Sequence, residues 1–224
     1  MDLFDDLMTQ SGPVTQVMPQ AIPQEILKDV FLLKAFALAN EQILLADIAA
    51  IISQAPLRHM MTRMGFKLSA AMTNCGVLGW TSSRKGYRYD ALDPNTGKPW
   101  PAMPDSFLQL AKSAAAQASF SNFQPDACLI NQYKVGASMG LHQDKDELDF
   151  SQPIVSVSLG IPAVFQFGGL VRSDKPIKIP LMHGDIVVWG GESRLKYHGI
   201  MPLKPNNHKG LGAYRFNLTF RKAA

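Results

Sequence analysis

From Phe123 to the C-terminus the chain breaks into short apolar runs at 127–133, 154–159, 163–167, 177–181, 186–189 and 214–221. Glycines punctuate the gaps, at Gly140, Gly160, Gly168, Gly169, Gly184, Gly190 and Gly191. Runs this short cannot sustain helices, and bounded by glycine they suit strands that end in turns. Many short strands with glycine-rich turns specify a sandwich or barrel, in which two sheets close on each other. The sequence before Phe123 has a different texture. Residues 30–39 suit a short strand and a turn. Asn40 can cap a helix in which Ile43, Leu44, Ile48, Ile51 and Ile52 recur at helical spacing up to Pro56. A second helix is predicted from Asp105, after Pro104, through Phe107, Leu108, Leu110 and Ala111 to about Ala118. The expected fold class is mainly β with flanking helices. It forms one domain: an N-terminal arm at 1–29, a helical scaffold with a basic insert at 30–122, and the β core at 123–224.

Of the 224 residues, 46% are hydrophobic, which supplies a core and excludes wholesale disorder. Cys75 and Cys128 are the two cysteines, with no CxxC or Cys/His cluster for zinc, and they read as reduced thiols of a cytoplasmic protein. No stretch approaches the roughly 18 unbroken apolar residues of a membrane span. The start, Met1-Asp2-Leu3-Phe4-Asp5-Asp6, is acidic where a signal peptide is basic. The expectation is therefore a cytoplasmic location and no membrane partner. The net charge is +4, and its distribution is uneven. Residues 56–89 hold six cations (Arg58, Arg63, Lys67, Arg84, Lys85 and Arg88) and no carboxylate, which leaves 16 basic against 18 acidic residues elsewhere. All the excess positive charge thus sits in one segment, the footprint of a polyanionic partner. A solvated basic face fits the charge alone equally well.

His142 and Asp144 stand two apart, and on an extended segment such residues point to one side. A distant histidine on a neighbouring strand, His198, completes a triangular face. Two imidazoles and one carboxylate form the triad that suits non-haem Fe(II) and leaves coordination positions open. A His-x-Asp pair is more often a turn or a hydrogen-bonded core pair, and His183 is a competing third ligand. His183-Gly184-Asp185 reads better as a hairpin turn between two apolar strands. The last strand adds weight. Arg215, Asn217, Thr219 and Arg221 share one face, and Phe216, Leu218 and Phe220 share the other. Guanidinium forks grip carboxylates, as a dicarboxylate such as 2-oxoglutarate requires. An ordinary half-exposed strand is the bland alternative.

These residues resemble the AlkB family of Fe(II)/2-oxoglutarate dioxygenases, and most of all its bacterial alkylated-DNA repair members. The resemblance is carried by Met72-Thr73-Asn74-Cys75-Gly76, Leu78-Gly79-Trp80-Thr81, 125–131, His142-Gln143-Asp144-Lys145-Asp146-Glu147, 153–160, 165–169, His183-Gly184-Asp185, 189–194 and 215–221. It runs from about Val30 to the end and is weaker at 63–67, 138–140 and 205–211. It implies a double-stranded β-helix (jelly-roll) core with an N-terminal nucleotide-recognition extension. It further implies Fe(II) on His142, Asp144 and His198, with 2-oxoglutarate and O2 as cosubstrates. Arg215 would pair with one cosubstrate carboxylate, Asn131, Tyr133 and Asn217 would hydrogen-bond the cosubstrate, and Arg221 would lie near its keto acid end. Asn131 and Tyr133 are again two apart, so one strand aims both inward.

On the substrate side, Trp80 and Tyr87 interleave with the cations of the basic segment, as a stacked base on a phosphate backbone needs. The resemblance adds Met72 and Arg172 to the pocket and sets Asp146 at the flipped base. An alkylated adenine or cytosine is cationic, so a π face or a carboxylate attracts it. The implied reaction hydroxylates an N-methyl group, which leaves as formaldehyde while 2-oxoglutarate is decarboxylated. The expected partner is alkylated DNA, single-stranded or with the base flipped, with RNA as a second polymer, and the expected state is a monomer. Two rivals share the residues. One is an Fe(II)/2-oxoglutarate hydroxylase of RNA, protein or a small metabolite. The other is a non-catalytic nucleic-acid-binding β-sandwich with a structural metal.

Overall fold

A computed structural model describes residues 22–224. The arm expected at 1–29 lies outside these residues up to position 21. The first half holds β1 (Gln24–Leu27), β2 (Val30–Leu33), α1 (Glu41–Gln54), β3 (Ala71–Gly76), β4 (Gly79–Ser83), β5 (Gly86–Asp90) and α2 (Asp105–Gln117). The second half holds β6 (Ala127–Lys134), β7 (Met139–His142), β8 (Ile154–Gly160), β9 (Ala163–Phe167), β10 (Ile177–Leu181), β11 (Ile186–Trp189), β12 (His198–Ile200) and β13 (Tyr214–Arg221). All pairings are antiparallel. A seven-stranded sheet runs β1-β2-β11-β8-β13-β6-β3, and a four-stranded sheet runs β10-β9-β12-β7. The hairpin β4–β5 stands apart as a two-stranded sheet. Two facing sheets with strands from the second half interleaved between them form the jelly roll.

Both faces of the large sheet are buried, which explains the alternation on β13. Phe216, Leu218 and Phe220 face the helices, in one apolar cluster with Leu44, Ile48, Phe107 and Leu110. Phe107 and Phe220 meet edge to face at 5.8 Å. A second cluster fills the space between the sheets, where Leu129, Tyr133, Val187 and Trp189 of the large sheet meet Phe165, Phe167 and Ile200 of the small one. The polar residues of β13 point into that inter-sheet space and are buried as well: Arg215 is 0% and Arg221 6% exposed. A buried guanidinium must find a partner, so this space is built for charge as well as for packing.

Three expectations need correction. His183-Gly184-Asp185 does not close a hairpin: it joins β10 of the small sheet to β11 of the large one. Gly184 sits at φ +85, and Asp185 accepts hydrogen bonds from the backbone N–H groups of Ala35 and Met182, both at 2.8 Å. A turn signal between two apolar strands fits a crossover between sheets as well as a hairpin. Asn40 stands at the N-terminus of α1 without a side-chain cap bond, because the chain enters that helix from a 3-10 turn at Leu38–Asn40. Finally, the large sheet draws on the first half of the chain: β1 starts at Gln24, and β3 borders β6 through six paired positions. One of those pairs is Cys75 with Cys128, both free and buried.

Candidate active site

The small sheet brings the histidines together. His142 ends β7 and His198 begins β12, and the two are direct partners in the ladder. Their rings lie 4.4 Å apart. The close approach needs glycine next to His198: a Cβ on Gly199 would sit 2.6 Å from the carbonyl oxygen of Met139. Asp144 follows two residues after His142, with its carboxylate between the rings. Asp144 Oδ1 is 3.6 Å from His142 Nε2, and Oδ2 is 3.7 Å from His198 Nε2. One ligand atom from each residue falls within 4.8 Å of the others.

The tautomers agree with a metal site. His142 Nδ1 lies 2.9 Å from the Gly140 carbonyl, and His198 Nδ1 lies 3.1 Å from the Lys196 carbonyl. A carbonyl only accepts, so each ring carries its proton on Nδ1 and presents a bare Nε2 lone pair to Asp144. Burial pushes the His198 pKa down to about 3, with His142 beside it adding to the effect, so the ring stays neutral. Burial alone would raise the Asp144 carboxyl, but Arg221 and the two histidines outweigh it and hold the group ionised.

A second cluster, Glu41, His183 and His208, also falls within 4.8 Å. There the proton is on the wrong nitrogen. The Gly160 N–H donates to His183 Nδ1 at 2.9 Å, which leaves the proton of the neutral ring on Nε2, the atom facing Glu41 at 3.2 Å. That Nε2 has no lone pair for an ion. His183, the rival third ligand, is thus tied to this cluster and away from His142.

The cosubstrate side lies in the same cavity, which is lined by Asn131, Tyr133, His142, His198, Arg215, Asn217 and Arg221. Arg215 Nε donates to Ser158 Oγ at 3.0 Å, and the guanidinium lies over the Tyr133 ring at 5.2 Å. Its Nη1 and Nη2 are buried without a hydrogen-bond partner, as are Asn131 Oδ1 and Trp189 Nε1 on other cavity-lining residues. Burial lowers the Arg215 pKa and raises that of Tyr133, so the latter stays a neutral hydroxyl. A buried cation with two free forks is a site for an anion. These orphaned atoms beside a His/His/carboxylate cluster fit Fe(II) together with a keto dicarboxylate.

Asn217 and Arg221 line the same cavity and carry hydrogen bonds of their own. Asn217 donates from Nδ2 to Ser156 Oγ at 2.8 Å and to the Val157 carbonyl at 3.0 Å, and its Oδ1 accepts from Thr219 at 3.0 Å and Asn131 at 3.4 Å. Its Oδ1 thereby also steadies Asn131. Arg221 is committed to the metal-ligand carboxylate, donating to Asp144 Oδ2 from Nε at 2.9 Å and Nη2 at 2.7 Å. Sequence reasoning missed Glu147 and Arg194. Arg194 Nη2 lies 3.2 Å from Glu147 Oε2, and Nη1 donates to the Asp144 carbonyl at 2.8 Å. The signal available for Glu147 was its place at the end of the acidic run that starts at Asp144.

Trp80 and Tyr87 stack at 5.6 Å on the hairpin β4–β5. Trp80 Nε1 donates to Asp146 Oδ2 at 3.0 Å. Met72 is 0% exposed and packs in the inter-sheet cluster with Trp80 against it. Arg172 lies exposed on the loop after β9. The basic segment is partly neutralised from outside its own bounds: Arg58 pairs with Asp93 at 2.7 Å and Arg88 with Asp90 at 2.7 Å. Among the described residues, Arg63, Lys67, Arg84 and Lys85 remain exposed and form no ion pair.

Jelly roll, imidazole pair, carboxylate and buried arginine together define a class, the metal-dependent oxygenases that take a keto acid cosubstrate. Comparison with known proteins agrees. Residues 29–221 match the model of the 2OG-Fe(II) oxygenase superfamily. The chain is 60% identical to the alpha-ketoglutarate-dependent dioxygenase AlkB of Salmonella typhimurium, over all of this chain and 98% of that protein. It is 57% identical to the protein of the same name from Escherichia coli, over 86% of this chain and 89% of that one. The solved structure of OsALKBH1 superposes with a TM-score of 0.76 at 32% identity, covering 89% of this chain and 99% of that one. The chain belongs to the AlkB family of the 2OG-Fe(II) oxygenase superfamily. It is an Fe(II)-dependent dioxygenase that uses 2-oxoglutarate and O2.

Proposed function

We propose that this enzyme removes alkyl groups oxidatively from damaged bases in DNA, of the 1-methyladenine and 3-methylcytosine type. One observation carries the reading: a buried guanidinium with two free nitrogens shares a cavity with His142 and His198 of the metal cluster, and an aromatic hairpin with exposed cations is tied to Asp146, two residues beyond Asp144. The names of its relatives support a nucleic-acid substrate. Human ALKBH1 is called a nucleic acid dioxygenase, and an Arabidopsis relative a DNA N(6)-methyladenine demethylase.

In this reading His142, Asp144 and His198 hold Fe(II), which when bound supplies the activation of dioxygen coupled to decarboxylation of 2-oxoglutarate. Arg215 grips a cosubstrate carboxylate through Nη1 and Nη2, and the neutral Tyr133 hydroxyl and Asn131 add hydrogen bonds. Arg221 keeps Asp144 ionised and fixes its Oδ2, leaving Oδ1 toward His142. The apolar wall of Phe165, Phe167 and Trp189 limits water around His198. Trp80 offers a π face to the cationic base, and the Asp146 carboxylate beside it favours that charge further. Met72 supports Trp80 from behind, while Tyr87 and Arg172 contact the strand. The methyl group is hydroxylated and lost as formaldehyde, so no protein nucleophile is needed.

The 30–122 segment serves nucleotide recognition within a single domain. The enzyme acts in the cytoplasm as a monomer on single strands or extruded bases, because lesions that block pairing lower the cost of extrusion. RNA presents the same base edges and is a second polymer for the site. The test is incubation of a 1-methyladenine oligonucleotide with the enzyme, Fe(II) and 2-oxoglutarate, read by mass. Loss of the methyl mass together with succinate is expected. An unchanged oligonucleotide, with succinate still formed, would transfer the activity to another substrate.

A further inference from the structure

We propose that Tyr89 and Glu147 form a positioning latch that couples the aromatic hairpin β4–β5 to the Asp144 carboxylate, so that loading of the metal and cosubstrate stiffens the surface that receives the nucleotide. The proposal rests on the reading above for the roles of Asp144 and the hairpin. Trp80 and Tyr89 are direct partners across the hairpin. Their polar atoms are taken by adjacent carboxylates: Trp80 Nε1 by Asp146 at 3.0 Å, and Tyr89 Oη by Glu147 Oε1 at 2.6 Å. Both carboxylates lie within three residues of Asp144.

The Tyr89 half continues to the metal ligand. Glu147 is 5% exposed. Its Oε1 is 3.4 Å from Arg221 Nε, and Arg221 in turn holds Asp144 Oδ2 through two hydrogen bonds. Arg194 closes the cluster from the other side, on Glu147 Oε2 and the Asp144 carbonyl. Two carboxylates and two guanidiniums balance in a buried group, and disturbing one member leaves another unpaired. Burial also raises the Tyr89 pKa, so its hydroxyl remains a donor. The line Tyr89–Glu147–Arg221–Asp144 therefore has no gap.

The hairpin has reason to depend on it. Its strands pair only with each other, and a lone two-stranded hairpin is marginal. Its other hydrogen-bonded ties among the described residues are the Asn74 side chain, which bonds the Trp80 backbone at both N–H and C=O, Ser82 Oγ on the Met61 carbonyl, and Trp100 Nε1 on the Asp90 carbonyl. Those ties reach no metal ligand. Among the hydrogen bonds of the described residues, the carboxylate pair is what connects the hairpin to the segment that begins with Asp144. Coupling between binding sites is reciprocal, so a hairpin stiffened by loading also tightens the loaded site when a nucleotide engages it.

The test is amide hydrogen exchange on the full chain, free or loaded with Mn(II) and 2-oxoglutarate, in the wild type and in Tyr89→Phe, which removes one oxygen. In the wild type, loading slows exchange in β8 and β13, around Arg215, and slows it about tenfold in β4–β5, a size typical of coupled sites. In Tyr89→Phe the slowing of β8 and β13 persists and that of the hairpin disappears. A wild-type hairpin indifferent to loading, or a Tyr89→Phe hairpin that still responds, overturns the latch. Absence of any response in β8 and β13 of the wild type overturns the site assignment, and the latch with it.

Discussion

At His142 and His198 a backbone carbonyl two residues back fixes the ring proton on Nδ1, whereas at His183 a backbone N–H fixes it on Nε2. Each of the two clusters among the described residues combines two histidines with one carboxylate, their ligand atoms within 4.8 Å of one another, and the position of the ring proton separates them as metal sites. It is invisible in the sequence, where His183-Gly184-Asp185 and His142-Gln143-Asp144 look alike. The strand and face of Arg215 were legible from the alternation over 215–221, whereas the burial of that face was not. Its two free nitrogens lead to a prediction. Arg215→Gln should weaken 2-oxoglutarate binding about 100-fold, the size of a lost charge-assisted pair. The same change should leave the cosubstrate-free protein as stable as the wild type or more so, because it removes a buried charge that lacks a counterion. Titration calorimetry with Mn(II)-loaded protein checks the first part and urea unfolding the second. Unchanged affinity would mean that the cosubstrate is anchored elsewhere.

Among the elements, the long and strongly apolar strands were legible from their runs, and β9, β10, β11 and β13 fall where the sequence predicts. The two strands that carry the histidines were not. β7 and β12 are four and three residues long and contain Gly140 and Gly199, so propensity and alternation are both weak there. Chemistry occupies the elements with the least local signal, and tertiary pairing with β9 gives β12 its conformation. The crossover at His183-Gly184-Asp185 was misread for a related reason: a turn motif records a change of direction and not which sheet comes next. The close packing at Gly199 makes the element sensitive to a single carbon. Gly199→Ala should push β12 from β7 and separate the imidazoles, lowering metal affinity at least tenfold while the large sheet stays folded. Mn(II) binding measured by electron paramagnetic resonance, beside the far-ultraviolet circular dichroism, tests this. Normal binding would show that the contact yields without moving His198.

For the molecule as a whole, the large sheet acts as a partition. Helices α1 and α2 bury one face, the small sheet buries the other, and the charges of the site lie in the second interior. Metal-free protein therefore keeps ionisable groups in a dry space, and its stability should follow pH. His198 has its pKa lowered from 6.5 to about 3 when folded, so below 6.5 the unfolded chain binds a proton that the folded chain refuses. Asp144 is also depressed, so below the ordinary carboxylate range it adds a loss of the same sign. Stability of the metal-free protein should be complete above pH 6.5 and fall toward pH 3, with His198 contributing on the order of 4 kcal/mol. Urea unfolding at several pH values reads this, and a flat profile would contradict the burial of a neutral imidazole. The place where an ion binds is the most direct test of the site. Crystals of the enzyme loaded with Mn(II) and 2-oxoglutarate should give one strong anomalous peak shared by His142, Asp144 and His198, with a cosubstrate carboxylate on Arg215. A peak at Glu41, His183 and His208 instead, or an Arg215 still without an anion, would contradict it.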